Sequence, residues 1–153
     1  MLVLLISCSQ PVKETYPNGA VKREVISGEG DTLIEKYYFE DGKPSSEAYY
    51  LDDALNGTWK TWFSNGNQES RGVFKDRKQE GVWSYFTDEG TKIEETTFKS
   101  GIKNGVSKTY FPNGKIKSSG IYAEGIQEGE WIFYKDDGAE VGRKLFRNGE
   151  VAK

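Results

Sequence analysis

A chain of 153 residues carrying 21 basic and 24 acidic side chains fits one ordinary domain or one short repeat array, and its near-neutral balance favours no polyanionic partner, so nucleic acid is not an expected ligand. Histidine is absent and cysteine occurs once, which removes the usual general base at neutral pH, the commonest metal ligand and any intrachain disulfide. Aromatic residues make up 14% of the chain against 35% hydrophobic residues in all, so the packing material is Trp, Tyr and Phe, as suits a thin, extended structure.

The first element is an apolar run, Met1 to Ser7, ending at Cys8. Leu5-Ile6-Ser7-Cys8 resembles the bacterial lipobox, whose cysteine becomes the lipidated first residue of the mature protein. That resemblance implies a signal segment over residues 1–8 and a lipid anchor on Cys8. Acyl chains contribute about 0.8 kcal/mol per buried CH₂, so two or three of them hold durably where one does not. The run departs from the pattern in having no Lys or Arg before it and in being at the short limit for such a segment. The competing reading makes Leu2 to Ile6 an edge strand and Cys8 a buried thiol. Residues 9–14 read as a polar tether. No apolar segment reaches the roughly 18 residues of a spanning helix, so the protein is expected to sit on a membrane.

From residue 15 to 153 the chain repeats with a shift of 24. Gly57, Gly81, Gly105 and Gly129 form one series, followed two residues later by Trp59, Trp83 and Trp131, with Ser107 at the missing position. Tyr38, Trp62, Phe86, Tyr110 and Tyr134 form a second, and Tyr50, Phe74, Phe98, Tyr122 and Phe146 a third. Gly42, Gly66, Gly90, Gly114 and Gly138 are turn glycines. Asn18-Gly19, Asp41-Gly42, Asn65-Gly66, Asn113-Gly114 and Asp137-Gly138 tolerate positive φ and close tight hairpins. A second turn is expected near Asn56-Gly57, Asn104-Gly105 and Gly125 to Gly129. Two strands of about eight residues fit each period, and no 3.6-residue apolar period competes. Strand alternation puts Trp59, Thr61 and Phe63 on one face and Thr58, Lys60 and Trp62 on the other. Burying an aromatic side chain contributes about 2–3 kcal/mol, while ordering each residue's backbone costs about 1–2 kcal/mol, so one unit cannot fold alone and must lean on its neighbours.

Tyr16-Pro17-Asn18-Gly19, Phe63-Ser64-Asn65-Gly66, Phe111-Pro112-Asn113-Gly114 and the three G-x-W blocks resemble variant MORN repeats, which in bacteria often occur in proteins filed under the YwqK antitoxin label. The resemblance covers about nine tenths of the chain. It implies a twisted antiparallel β-meander used for binding or scaffolding, and no catalytic residues. The expected architecture is therefore all-β: tandem 24-residue β-hairpin repeats in an elongated, single-layer, solenoid-like sheet. Ser107 and the 23-residue step from Gly19 to Gly42 mark irregular units.

The repeat aromatics have two readings, internal packing of a thin sheet or a platform for a glycan or other ligand, since aromatic faces stack on sugars and attract cations. Asp52-Asp53, Glu94-Glu95 and Asp136-Asp137 suggest neither glycosidase nor calcium chemistry, because two of the pairs fall in turns and the third splits across a strand. Ser70, Ser84 and Ser119 lack any base but Lys. Arg71, Lys75, Arg77 and Lys78, interrupted by Asp76 and Glu80, read as a solvated hairpin tip. The expectation is a non-enzyme with no cofactor or metal: a lipid-anchored, outer-membrane or envelope scaffold that recruits another envelope protein through an exposed aromatic row or an open sheet edge. The alternatives are an antitoxin or immunity protein, or a cell-wall glycan binder. Without the signal segment the location becomes cytoplasmic.

Overall fold

The computed structural model describes residues 11–152. The apolar run and Cys8 lie outside the described residues. The chain forms β1 (Val12–Thr15), β2 (Val21–Ser27), β3 (Thr32–Tyr38), β4 (Pro44–Leu51), β5 (Ala54–Trp62), β6 (Gln68–Lys75), β7 (Lys78–Phe86), β8 (Lys92–Lys99), β9 (Ile102–Tyr110), β10 (Ile116–Ala123), β11 (Ile126–Tyr134), β12 (Glu140–Arg147) and β13 (Glu150–Val151). All 13 pair antiparallel in one open sheet whose spatial order is the sequence order. With neighbouring strands about 4.8 Å apart, the meander runs to nearly 60 Å.

The two ends of each hairpin are built differently. At the Asn-Gly and Asp-Gly end the glycine alone has positive φ, as at Gly66 (φ 94°). Its N–H donates to Phe63 O at 2.9 Å while the Phe63 N–H reaches Asn67 O at 2.9 Å. This is a three-residue loop with a glycine bulge, one of the favoured hairpin closures. Successive loops are tied together: Asn65 Nδ2 donates to Asp88 O and Asn113 Nδ2 to Asp136 O, each at 2.6 Å.

From β4 onward the opposite end is closed by two-residue turns with both residues at positive φ, namely Asp52-Asp53, Asp76-Arg77, Ser100-Gly101, Glu124-Gly125 and Asn148-Gly149. That combination is the I′ turn, whose twist matches the strands it joins. The second turn therefore falls four residues before the expected Asn56-Gly57 and Asn104-Gly105, which lie inside β5 and β9. The dipeptides misled because Gly57 (φ 124°) and Gly105 (φ 122°) use positive φ for a bulge within a strand. A Cβ on Gly57 would come within 2.9 Å of Tyr49 Cβ.

The sheet also starts earlier than expected. Val12, Lys13 and Glu14, assigned to the tether, belong to β1. The loop at Gly19, whose N–H donates to Tyr16 O at 2.9 Å, folds them onto β2. There Lys13 meets Glu24 at 3.1 Å and Glu14 meets Arg23 at 2.7 Å. A fully exposed edge strand needs no apolar residues, so its sequence looks like linker.

Candidate functional site

Cross-strand register sorts the repeat aromatics onto opposite faces. Trp59, Phe74, Trp83, Phe98, Tyr122 and Trp131 share one face, and Trp62, Phe86, Tyr110 and Tyr134 the other. On the first face the rings interlock edge to face: Trp59 with Phe74 (centroids 5.5 Å), Phe74 with Trp83 (5.0 Å) and Trp83 with Phe98 (6.3 Å). After a gap at Ser107 the ladder resumes with Tyr122, Trp131 (5.3 Å) and Phe146 (6.2 Å). Trp83 and Trp131 are only 3% and 4% exposed and Phe98 and Phe146 are buried beside them, so this row is the core of the sheet and these four rings offer no open face to a sugar.

Each tryptophan has a small residue on the preceding strand. Ala48 pairs directly with Trp59. Gly72 and Gly120 lie under Trp83 and Trp131, where an added Cβ would come 2.2 Å from the ring. The indole N–H of Trp83 donates to Val73 O at 3.1 Å and that of Trp131 to Ile121 O at 3.3 Å, both at strand bulges, so burial leaves no donor stranded. The ring on the following strand is phenylalanine each time, Phe74, Phe98 and Phe146.

Two units break this rule, and they break it at all three positions. Where tryptophan gives way to Ser107, the small residue becomes Thr96 and the phenylalanine becomes Tyr122. Where it gives way to Glu35, the corresponding residues are Val25 and Tyr50. Sequence reading noted Ser107 as an exception but missed the coordinated change. The signal was available as the series Ala48, Gly72, Thr96, Gly120 at the same spacing as the tryptophans.

Polar side chains line both gaps. At the second, Thr96, with no exposed surface, shares a hydrogen bond with Ser107 at 2.7 Å and donates to Glu94 at 2.8 Å. Lys103 bridges the cluster, its Nζ 2.7 Å from Glu94 and 5.2 Å from the Tyr122 ring centre. At the first gap, Glu35 accepts from Arg23 Nε at 2.6 Å, Tyr37 at 3.2 Å and Tyr50 at 3.0 Å. Burial pushes both carboxyls up, but hydrogen bonds outweigh it: Arg23 and Tyr50 hold Glu35 below its ordinary value, and Lys103 and Thr96 do the same for Glu94. Groups depressed in the fold lend stability that is complete above their unfolded value and is lost as pH falls through the folded one. Urea midpoints are expected to stay level from neutral pH down to about pH 5 and to drop below about pH 4.5, less steeply in Glu35→Gln. A decline already under way at about pH 6 contradicts this assignment.

Beside Glu35 the ladder face is hollow. One depression of about 220 Å³ is lined by Arg23, Val25, Leu33, Glu35, Tyr50 and Asp53. It adjoins a second of about 420 Å³ that includes Asp31, Asp52 and Asp53. The basic cluster of the sequence is dispersed: Arg71 sits within β6 with its guanidinium 5.6 Å from the Phe86 ring centre, Arg77 is in the Asp76-Arg77 turn, and Lys75 and Lys78 flank it. Glu94 and Glu95 are split as expected, one bound to Lys103 and the other to Lys92.

The opposite face carries three rows across the strands. Trp62, Phe86, Tyr110 and Tyr134 are half-buried and recur on every second strand. Lys60, Arg71, Glu95, Lys108 and Arg143 form a charged row beside them. Beyond it lies an aliphatic row of Val73, Val82, Val106, Ile121 and Leu145, between 45% and 55% exposed. This row is not legible in the sequence. Alternation alone does not separate a half-buried strand position from one left open.

Three segments of the chain, residues 32–52, 55–76 and 103–124, match the MORN repeat variant family. The hairpins carrying Trp83 and Trp131 lie outside the matched segments; their bulges fall opposite Gly72 and Gly120, whereas Trp59 and Ser107 pair directly with Ala48 and Thr96. No curated protein matches the chain.

Proposed function

We propose that this array of MORN-variant hairpins is a non-catalytic protein-binding scaffold, anchored to the cell envelope through a lipidated Cys8. The observation that carries the binding reading is the aliphatic row. Five side chains from Val73 to Leu145 stand about half exposed, Val73 beside Val82 and Val106 paired with Ile121, with Thr97 and Glu130 between these pairs and Leu145. Exposed apolar side chains grouped in this way mark interaction sites, whereas singly scattered ones do not. The neighbouring charged row supplies orientation at the rim. The core row lies on the other face, so binding can be tested apart from folding.

Val82→Glu combined with Val106→Glu is expected to leave the far-ultraviolet circular dichroism unchanged and to abolish co-purification of envelope partners. Full retention of the same partners by the folded double variant removes this face from consideration. The anchor is read separately, from the intact mass of membrane-extracted protein. A diacylglyceryl-type increase with cleavage before Cys8, absent in Cys8→Ser, supports the envelope assignment; an unmodified full-length mass returns the protein to the cytoplasm.

Glycan binding is a second reading, favoured by the half-buried Trp62, Phe86, Tyr110 and Tyr134 row and not by the ladder tryptophans. It predicts retention on a peptidoglycan matrix that Tyr110→Ala weakens.

A further inference from the structure

The two gaps in the aromatic ladder have one feature in common and one difference. Both present a tyrosine, Tyr50 or Tyr122, where the tryptophan units have phenylalanine. At the second gap the chain covers its tyrosine itself. The ammonium of Lys103 sits 5.2 Å from the Tyr122 ring centre and reaches a carboxylate, Glu94, at 2.7 Å. Leu33 faces Tyr50 as Gly105 faces Tyr122, so the place of Lys103, two residues earlier, falls to Asp31, an acid that cannot fill that role. What remains is the hollow of about 220 Å³ floored by Val25, Leu33 and Tyr50.

We propose that this hollow binds a lysine side chain of an extended partner segment, the stem lying over Leu33 and Tyr50 and the ammonium at Asp53. The filled gap supplies the precedent within the same sheet, a cationic side chain laid against a tyrosine with its head on a carboxylate. Three features of the empty gap fit that occupant. Its floor is apolar enough for a methylene stem, and a cation near a tyrosine ring is favourable.

Its rim is acidic. Arg23, the one cation in the lining, is neutralised on both sides by Glu35 at 2.6 Å and Glu14 at 2.7 Å. Those contacts hold its guanidinium even more firmly protonated than usual. Asp53 forms no ion pair among the described residues, and the adjoining depression adds Asp31 and Asp52. Arg77 donates to the Asp53 backbone carbonyl at 2.9 Å and forms no ion pair with its carboxylate. The site is also accessible, because the hollow opens on the ladder face and not between layers. It lies on the face opposite the aliphatic row and does not depend on that row's function.

The test is a titration of isotopically labelled protein with acetyl-tetralysine-amide, followed by amide chemical shifts, beside acetyl-tetraglutamate-amide as the charge control. The expected result is a saturable response confined to Leu33, Tyr50 and Asp53 and their neighbours, weakened at least about tenfold by the surface change Asp53→Asn. Refilling the gap by Val25→Gly, Glu35→Trp and Tyr50→Phe together should abolish it. Asp53→Asn keeps the proposal falsifiable if that triple variant does not fold. Shifts spread evenly over all acidic residues, an unchanged response in Asp53→Asn, or an equal response to tetraglutamate would each overturn it.

Discussion

Trp83→Ala is expected to lower the unfolding free energy by about 3–5 kcal/mol, measured by urea titration with circular dichroism. Trp83 is 3% exposed and touches rings on both sides, Phe74 at 5.0 Å and Phe98 at 6.3 Å between centroids. It also satisfies Val73 O at the bulge, so truncation removes packing and leaves a carbonyl short of its donor at once. A single-layer sheet has no second layer to close over the space. Such a loss is a large share of the 5–15 kcal/mol that ordinary domains possess. Because each hairpin contacts only its neighbours, amide exchange should quicken first in β6, β7 and β8. Trp62→Ala, on the open face, should cost only about 1 kcal/mol. Equal effects at Trp62 and Trp83 would mean that the ladder is not the core.

Gly120→Thr should be nearly as damaging, and the damage should disappear when Trp131 is serine. Alone, the new Cβ lies 2.2 Å from the Trp131 ring and expels it, forfeiting most of the indole's contribution of about 3–5 kcal/mol. The backbone is not the obstacle, since Gly120 is not among the glycines at positive φ. In the Trp131→Ser background the pair becomes Thr over Ser, the arrangement that Thr96 and Ser107 already adopt with a 2.7 Å hydrogen bond. A double-mutant cycle on these two sites is expected to show coupling near the upper end of the usual range, about 3 kcal/mol. Additive effects would show that the coordinated changes at Thr96, Ser107 and Tyr122 have no packing origin.

Much of this architecture is legible along the chain. The 24-residue spacing of Trp59, Trp83 and Trp131 and of the loop glycines is enough to specify antiparallel hairpins, because only a two-strand unit closes in that length with turn residues at fixed offsets. Alternation within β5 correctly divides Trp59 from Trp62, since side chains on a strand point to opposite faces whatever surrounds them. Even the ladder's small-residue rule is written in the series Ala48, Gly72, Gly120, although its meaning appears only once a ring is seen above each.

What the sequence alone determined, then, is the strand period, the hairpin loops at Gly42, Gly66, Gly90, Gly114 and Gly138, and the two facial sets of aromatics, all of which follow from local backbone preferences and a period of two. The tertiary structure decided which set is core, where the second turns fall, that Val12 to Glu14 are sheet, and that the gap at Glu35 is left hollow while the gap at Ser107 is filled. These depend on residues brought together from neighbouring strands. A glycine at positive φ reads the same in a turn as in a bulge, and an aromatic reads the same whether or not another ring lies against it.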